Sequence, residues 1–227
     1  MANATPALLA AQSATNKIPI LGTSVTDYAS ALAIDNMGAA TGTNISGTSD
    51  GVPAQAQAEL LQQVFPDAKA VGLLYCSGEP NSKFQADEIR PVLEGMGYTV
   101  ADFTFADSND VAAVTNNACD DCNVIYIPTD NTAASNAELI NNVCLEKKIP
   151  VVAGEEGLCA GCGVATLSIS YYDLGTVTGE MAAKILAEGA DVSTMEIQYA
   201  PFAKKFNKTN CDILGITVPE AYEAIAD

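Results

Sequence analysis

The sequence predicts an α/β fold with parallel, doubly wound sheets, and three observations carry that prediction. From Val52 onward, short apolar runs alternate with stretches of helical spacing, the element order such sheets require. The run Val124-Ile125-Tyr126-Ile127 is continuously apolar, as a strand buried on both faces must be, and stops at Pro128. Polar tips recur after strands and before helices or loops: Thr5-Pro6, Thr26-Asp27, Glu79-Pro80-Asn81-Ser82, Thr129-Asp130-Asn131 and Glu155-Glu156. In a parallel sheet such tips share one edge and make a polar cleft, and ligands bind there, where the strand order reverses.

Taken in order, the elements support this. Residues 1–16 are Ala/Leu-rich and helical, with Thr5 expected at the N-cap and Pro6 in the first turn. The chain is therefore expected to start at the end of a strand it does not contain. Short strands follow at 18–22 and 43–47. Residues 52–65 place Leu60, Leu61 and Val64 at helical spacing and stop at Pro66. Strands are then expected at 70–75, 99–105, 123–129 and 150–154. Between them come helices at 81–96, 109–119 and 132–147. The remainder reads as a strand at 163–170, a long helix at 171–188, strands at 195–199 and 202–206, and a short helix at 207–214. Tyr126, inside a strand, is expected in the core.

Composition narrows the function classes. With 28 acidic against 10 basic residues, the net charge of −18 excludes a phosphate-neutralising footprint and adhesion to an anionic membrane. No apolar run approaches the roughly 20 residues that span a bilayer. Residues 1–6 lack the basic and apolar regions of a signal peptide, so any targeting segment is expected to lie outside this sequence. The absence of histidine removes the commonest general base and metal ligand. Glu155 and Glu156 are adjacent on an extended segment and point apart, and no nucleophile has a base beside it. No phosphate-cradling glycine motif occurs. The expectation is a protein that is not an enzyme and needs no cofactor.

Seven cysteines include two C-x-x-C pairs, Cys119/Cys122 and Cys159/Cys162. The 36 residues between the pairs exceed the usual zinc-ribbon spacing. The pairs also sit at opposite ends of the expected sheet, about 20 Å apart. Buried thiols, or a disulfide within each pair, are the expectations in place of a shared metal.

At its tips the sequence resembles the substrate-binding proteins of ABC transporters, tryptophan/tyrosine type, which have a type I periplasmic-binding-protein fold. The matching segments are Thr5-Pro6, Thr26-Asp27, Glu79-Pro80-Asn81-Ser82, Pro128-Thr129-Asp130-Asn131-Thr132, Glu156-Gly157, Ser170-Tyr171-Tyr172-Asp173-Leu174-Gly175 and Leu214-Gly215-Ile216-Thr217-Val218-Pro219-Glu220. The resemblance covers nearly the whole chain. It implies two α/β lobes joined by crossover strands and closing on a ligand between them. Lobe 1 would be 1–49 with 165–227, and lobe 2 would be 50–164. It further implies an extracytoplasmic protein or lipoprotein that hands an amino acid, expected to be aromatic, to an ABC permease. The alternative is the ligand-sensing domain of a regulator or receptor with the same fold. Family members carry a further βαβα section before the Thr-Pro tip. Its absence predicts an N-terminally truncated lobe 1, or else a homodimer that covers the exposed surface.

A zwitterionic amino acid needs donors for its carboxylate and acceptors for its ammonium. Thr5, Asn81 and Ser82 at helix starts, with Thr26 at a strand tip, are the carboxylate candidates. Asp27, Asp130 and Glu156 are the ammonium candidates, with Asn131 as an orienting amide and Glu79 as a further acid. Tyr28 and Tyr172 are the expected partners of an aromatic side chain, with Phe84 and Tyr171 behind them. For the polar residues the plain competing role is helix capping or turn formation.

Overall fold

The computed structural model describes residues 1–225. The chain divides into two compact units: Met1–Gly51 with Ile169–Pro201, and Val52–Ser168 with Phe202–Asp227. In chain order the elements begin with β1 (Ala2–Asn3), α1 (Ala4–Ala14), β2 (Ile20–Thr23), α2 (Tyr28–Leu32) and β3 (Ile45–Ser49). Next come α3 (Ala54–Val64), β4 (Ala70–Cys76), α4 (Pro80–Gly95), β5 (Thr99–Phe105) and α5 (Val111–Asp121). They continue through β6 (Val124–Ile127), α6 (Asn131–Ser135), α7 (Ala137–Lys147), β7 (Val151–Ala153), α8 (Glu156–Cys162) and β8 (Ala165–Ile169). The last are α9 (Tyr171–Glu188), β9 (Gln198–Tyr199), β10 (Phe202–Phe206), α10 (Lys208–Leu214) and β11 (Glu223–Ala224).

In the first unit, β1, β2, β3 and β9 form a parallel sheet in that order. Gly47 lies at φ +146°, and a Cβ there would overlap the Gly22 carbonyl oxygen across the β2–β3 pair. Only glycine permits this approach. The space the two glycines leave is filled by the Tyr28 ring, whose hydroxyl donates to Thr48 O at 3.2 Å. Ile20, Val25, Tyr28, Leu32 and Ile45 form the core on that side.

The second unit holds a seven-stranded sheet in the order β11-β10-β8-β7-β6-β4-β5. The pairs from β5 through β4, β6 and β7 to β8 are parallel. All four residues of β6 are buried, as its unbroken apolar sequence requires. At the edge, β5 leaves four of its seven residues exposed. The α/β alternation expected from the sequence is therefore observed. Strand order reverses at β4, which has β5 on one side and β6 on the other. The carboxyl ends of β4 and β6 thus flank a topological switch point.

Several details differ from the sequence expectation. Residues 202–225 belong with the second unit, because β10 adds to the sheet beside β8; the sequence reading had put 165–227 in lobe 1, a range whose last two residues lie outside those described. The N-cap of α1 is Asn3, and Thr5 is its second residue. Ala2 and Asn3 themselves pair with β2, so a short piece of the strand thought missing is present. Residues 131–147 form two helices that meet at Asn136, whose ψ of 19° departs from the helix and whose Nδ2 bonds Thr132 O at 2.8 Å. The Glu155-Glu156 tip opens α8, with the Glu155 carboxylate accepting the amides of Gly157 and Leu158.

Candidate functional site

At the switch point of the second unit, five candidate residues form one hydrogen-bonded group. After β4 the chain turns into α4, placing Glu79 at the N-cap, and after β6 it turns into α6, with Asp130 at the N-cap. Asp130 Oδ1 accepts the Ala133 amide at 2.7 Å, and Oδ2 accepts the Cys76 amide at 2.7 Å. The carboxylate therefore caps its own helix and ties it to the end of β4. Glu79 returns the link: Oε2 accepts Asn131 N at 3.0 Å and Nδ2 at 2.7 Å. Its Oε1 accepts Thr132 N at 2.8 Å and Oγ1 at 2.7 Å. Asn81 Nδ2 donates to Thr129 O at 2.8 Å and lies 3.3 Å from Ser82 Oγ.

These contacts set the charges. Burial opposes ionisation of both acids, with opposite outcomes. For Glu79, the hydrogen bonds from Thr132 and Asn131 outweigh burial and lower the pKa. For Asp130, burial wins over the amides of Ala133 and Cys76, helped by the nearby Glu79 charge, and the pKa is raised. Asn131 is exposed, whereas Asn81, Ser82 and Asp130 are buried. Asn81 Oδ1 is buried without a hydrogen-bond partner, and so is Gln57 Oε1, whose Nε2 donates to Gly154 O just beyond β7.

Glu156 stands apart from this group and has a cation of its own. Its Oε2 pairs with Lys205 Nζ at 2.7 Å and accepts Ser168 Oγ at 2.7 Å. Burial raises its pKa, but the hydrogen bonds from Lys205 and Ser168 prevail and the pKa is lowered. An ammonium in this place would compete with Lys205.

In the first unit, the tips after β2 and β3 are laced together. Ser49 Oγ donates to Thr26 O at 2.9 Å, and Tyr171 Oη donates to Asp50 Oδ2 at 3.2 Å. Asp27 caps α2 through Ser30 N at 2.6 Å. Thr5 and Thr26 are buried. Tyr28 is a correction to the sequence reading: it is 1% exposed and packs in the core, so it offers no face to a ligand. A tyrosine this close to two glycines can be buried because Thr48 O satisfies its hydroxyl. Tyr172 is 83% exposed and Tyr171 39%.

Sequence reasoning missed Asp50, Gln57 and Lys205. Asp50 carried a readable signal, since Thr48-Ser49-Asp50 is a polar tip between a strand and a helix like the other five. The expected lobe boundary between residues 49 and 50 cut it off from Ser49, whereas the structure keeps both in the first unit. Lys205 had no signal, because its partner Glu156 lies 49 residues away.

All seven cysteines are buried and free, so the disulfides considered within each C-x-x-C pair are absent. Cys119 Sγ has Cys144 Sγ, not Cys122, at 3.8 Å. Among the described residues, no group of three or more His, Cys, Asp or Glu is arranged to hold a metal ion. None of their helices is long and apolar enough to cross a membrane.

Comparisons with known proteins agree with this architecture. The family model described as ABC transporter substrate binding protein matches residues 1–227. The tyrosine-binding protein of Clostridioides difficile is 34% identical over 193 residues, covering 85% of this chain and 55% of that protein. The chain thus spans about half the length of this curated relative. Among solved structures, an ABC domain in complex with L-Trp from Streptococcus pneumoniae has a TM-score of 0.91 at 31% identity, over 98% of this chain and 79% of that one. A ligand-free, open substrate binding protein with adhesive properties from Clostridium difficile has a TM-score of 0.74 at 35% identity, over 98% and 76%.

Proposed function

Because the chain belongs to the ABC transporter substrate binding protein family, we propose that it captures a free aromatic amino acid outside the cytoplasm and delivers it to an ABC permease. The observation that carries this reading is L-Trp in a solved relative that matches 98% of the chain at a TM-score of 0.91. The name of the tyrosine-binding relative supports the same ligand class.

The proposed contacts follow the strand tips of each unit. In the second unit, the start of α4 at Asn81 and Ser82 has no side-chain cap, so its backbone amides are offered to a ligand carboxylate. Glu79 and Asp130 hold the two tips in register, and Asn131 presents an amide at the rim. Glu156 stays apart from this group, tied to Lys205 and Ser168. In the first unit, Thr5, Thr26 and Asp27 stand at the starts of α1 and α2, and the exposed ring of Tyr172 offers an apolar face to an aromatic side chain.

The test is calorimetry of the purified chain against the common amino acids, sugars and nucleosides. Tyrosine, tryptophan or phenylalanine is expected to bind, and at 100 times its dissociation constant to add about 2.7 kcal/mol of stability. Binding of sugars or nucleosides with no amino acid bound would refute the reading.

A further inference from the structure

Asp50 is a buried acid that caps no helix. It follows β3 in the first unit and is 7% exposed. Tyr171 Oη donates to Oδ2 at 3.2 Å, and the Thr26 hydroxyl adds a further hydrogen bond. Its Oδ1 is closed to solvent and has no hydrogen-bond partner. Among the described residues, no lysine or arginine pairs with it, since the ion pairs engage other carboxylates. Burial pushes the Asp50 pKa up by more than the hydroxyls of Thr26 and Tyr171 bring it down. A carboxylate removed from water in this way lacks the cation that would complete it.

The surroundings fit one kind of cation. Tyr199, 68% exposed, lies in register with Ser49, the residue before Asp50. Tyr171 approaches from the start of α9, with its hydroxyl on Oδ2. An anion among aromatic rings suits an ammonium, which gains both ion pairing and the ring quadrupole. The other acids differ: Asp130 and Glu79 accept several hydrogen bonds, Asp27 caps a helix, and Glu156 holds a lysine.

We propose that Asp50, oriented by Thr26 and Tyr171, is the counter-ion that receives the ammonium group of the ligand, so that the site demands a free amine. This rests on the amino-acid reading above and names the group that enforces it.

Calorimetry should compare L-tyrosine and L-tryptophan with their des-amino counterparts, 3-(4-hydroxyphenyl)propionate and 3-indolepropionate, on the native chain and on Asp50→Asn. The native chain is expected to prefer the amino acids by on the order of 100-fold, the loss typical of leaving one buried charge unpaired. Asp50→Asn is expected to lose that preference while melting, without ligand, at or above the native temperature. A variant that keeps both affinity and preference overturns the inference and leaves the amino-acid reading intact. Equal affinity of the native chain for amino acid and des-amino compound overturns it without recourse to any variant. If the native chain binds only compounds of another class, the amino-acid reading fails and the inference falls with it.

Discussion

The Asp130 carboxylate accepts the Cys76 amide at 2.7 Å across 54 residues of sequence. One side chain therefore terminates α6 and fastens it to the end of β4, at the point where strand order reverses. Replacing Asp130 by Ala leaves both buried amides without acceptors. The expected loss is about 2–4 kcal/mol, the sum of a helix cap and an unsatisfied buried donor. Urea unfolding of the variant against the native chain measures it, and a loss below about 0.5 kcal/mol would show that the link is not stabilising.

Glu79 makes stability depend on acid. Its folded pKa lies below the ordinary glutamate value, through the hydrogen bonds of Thr132 and Asn131 working against burial. Such a group contributes stability that is present above its unfolded pKa and is lost as pH falls through the folded one. Unfolding midpoints should therefore decline as pH drops below about 4.5. In Glu79→Gln this part of the decline should vanish, at an expected expense of about 1–3 kcal/mol at neutral pH. An identical acid profile in both proteins would assign the decline to other carboxylates.

Tyr28 separates packing from binding. Tyr28→Phe removes only the hydroxyl that reaches Thr48 O, so it should reduce stability by about 1 kcal/mol. Affinity for the ligand should stay unchanged, because the ring is buried. A tenfold fall in affinity measured by calorimetry would place the hydroxyl at the ligand instead.

The thiols should be silent in the native state. Burial pushes the Cys122 and Cys211 thiols up to about 11, and burial with the Glu155 charge pushes Cys162 to about 12. Thiolate is then scarce at these three sulfurs at neutral pH, and burial shields all seven from a reagent. A chromogenic thiol reagent should react with all seven cysteines after unfolding, without reductant, and hardly with any before. Fewer than seven reactive thiols in the unfolded, unreduced chain would reveal a disulfide.

Much of this was legible because the signals are local. An apolar run such as Val124–Ile127 reads as a buried strand wherever it stands, and β6 is fully buried. The tips at Glu79 and Asp130 were readable as a set for the same reason. What those acids touch was not, since Cys76 and Thr132 are brought to them only by strand pairing, across 54 and 53 residues. The partition of residues 202–225 failed likewise: nothing within β10 says that it will lie beside β8. Asp50 is a different kind of miss, because its tip was visible but the expected lobe boundary fell between Ser49 and Asp50.

The division of the chain sets an order in time. The second unit has most of its core within one uninterrupted stretch, Val52–Ser168, so its strands can pair as soon as that stretch exists. The first unit must bring Ser49 to Tyr199, across 150 residues, before β9 can close its sheet. Distant pairings wait on loop closure and form slowly. The early segment that bears Thr26 and Asp50 therefore stays unfinished until the segment around residue 199 reaches it. Its exposed strand β3 is then the surface most in need of a chaperone.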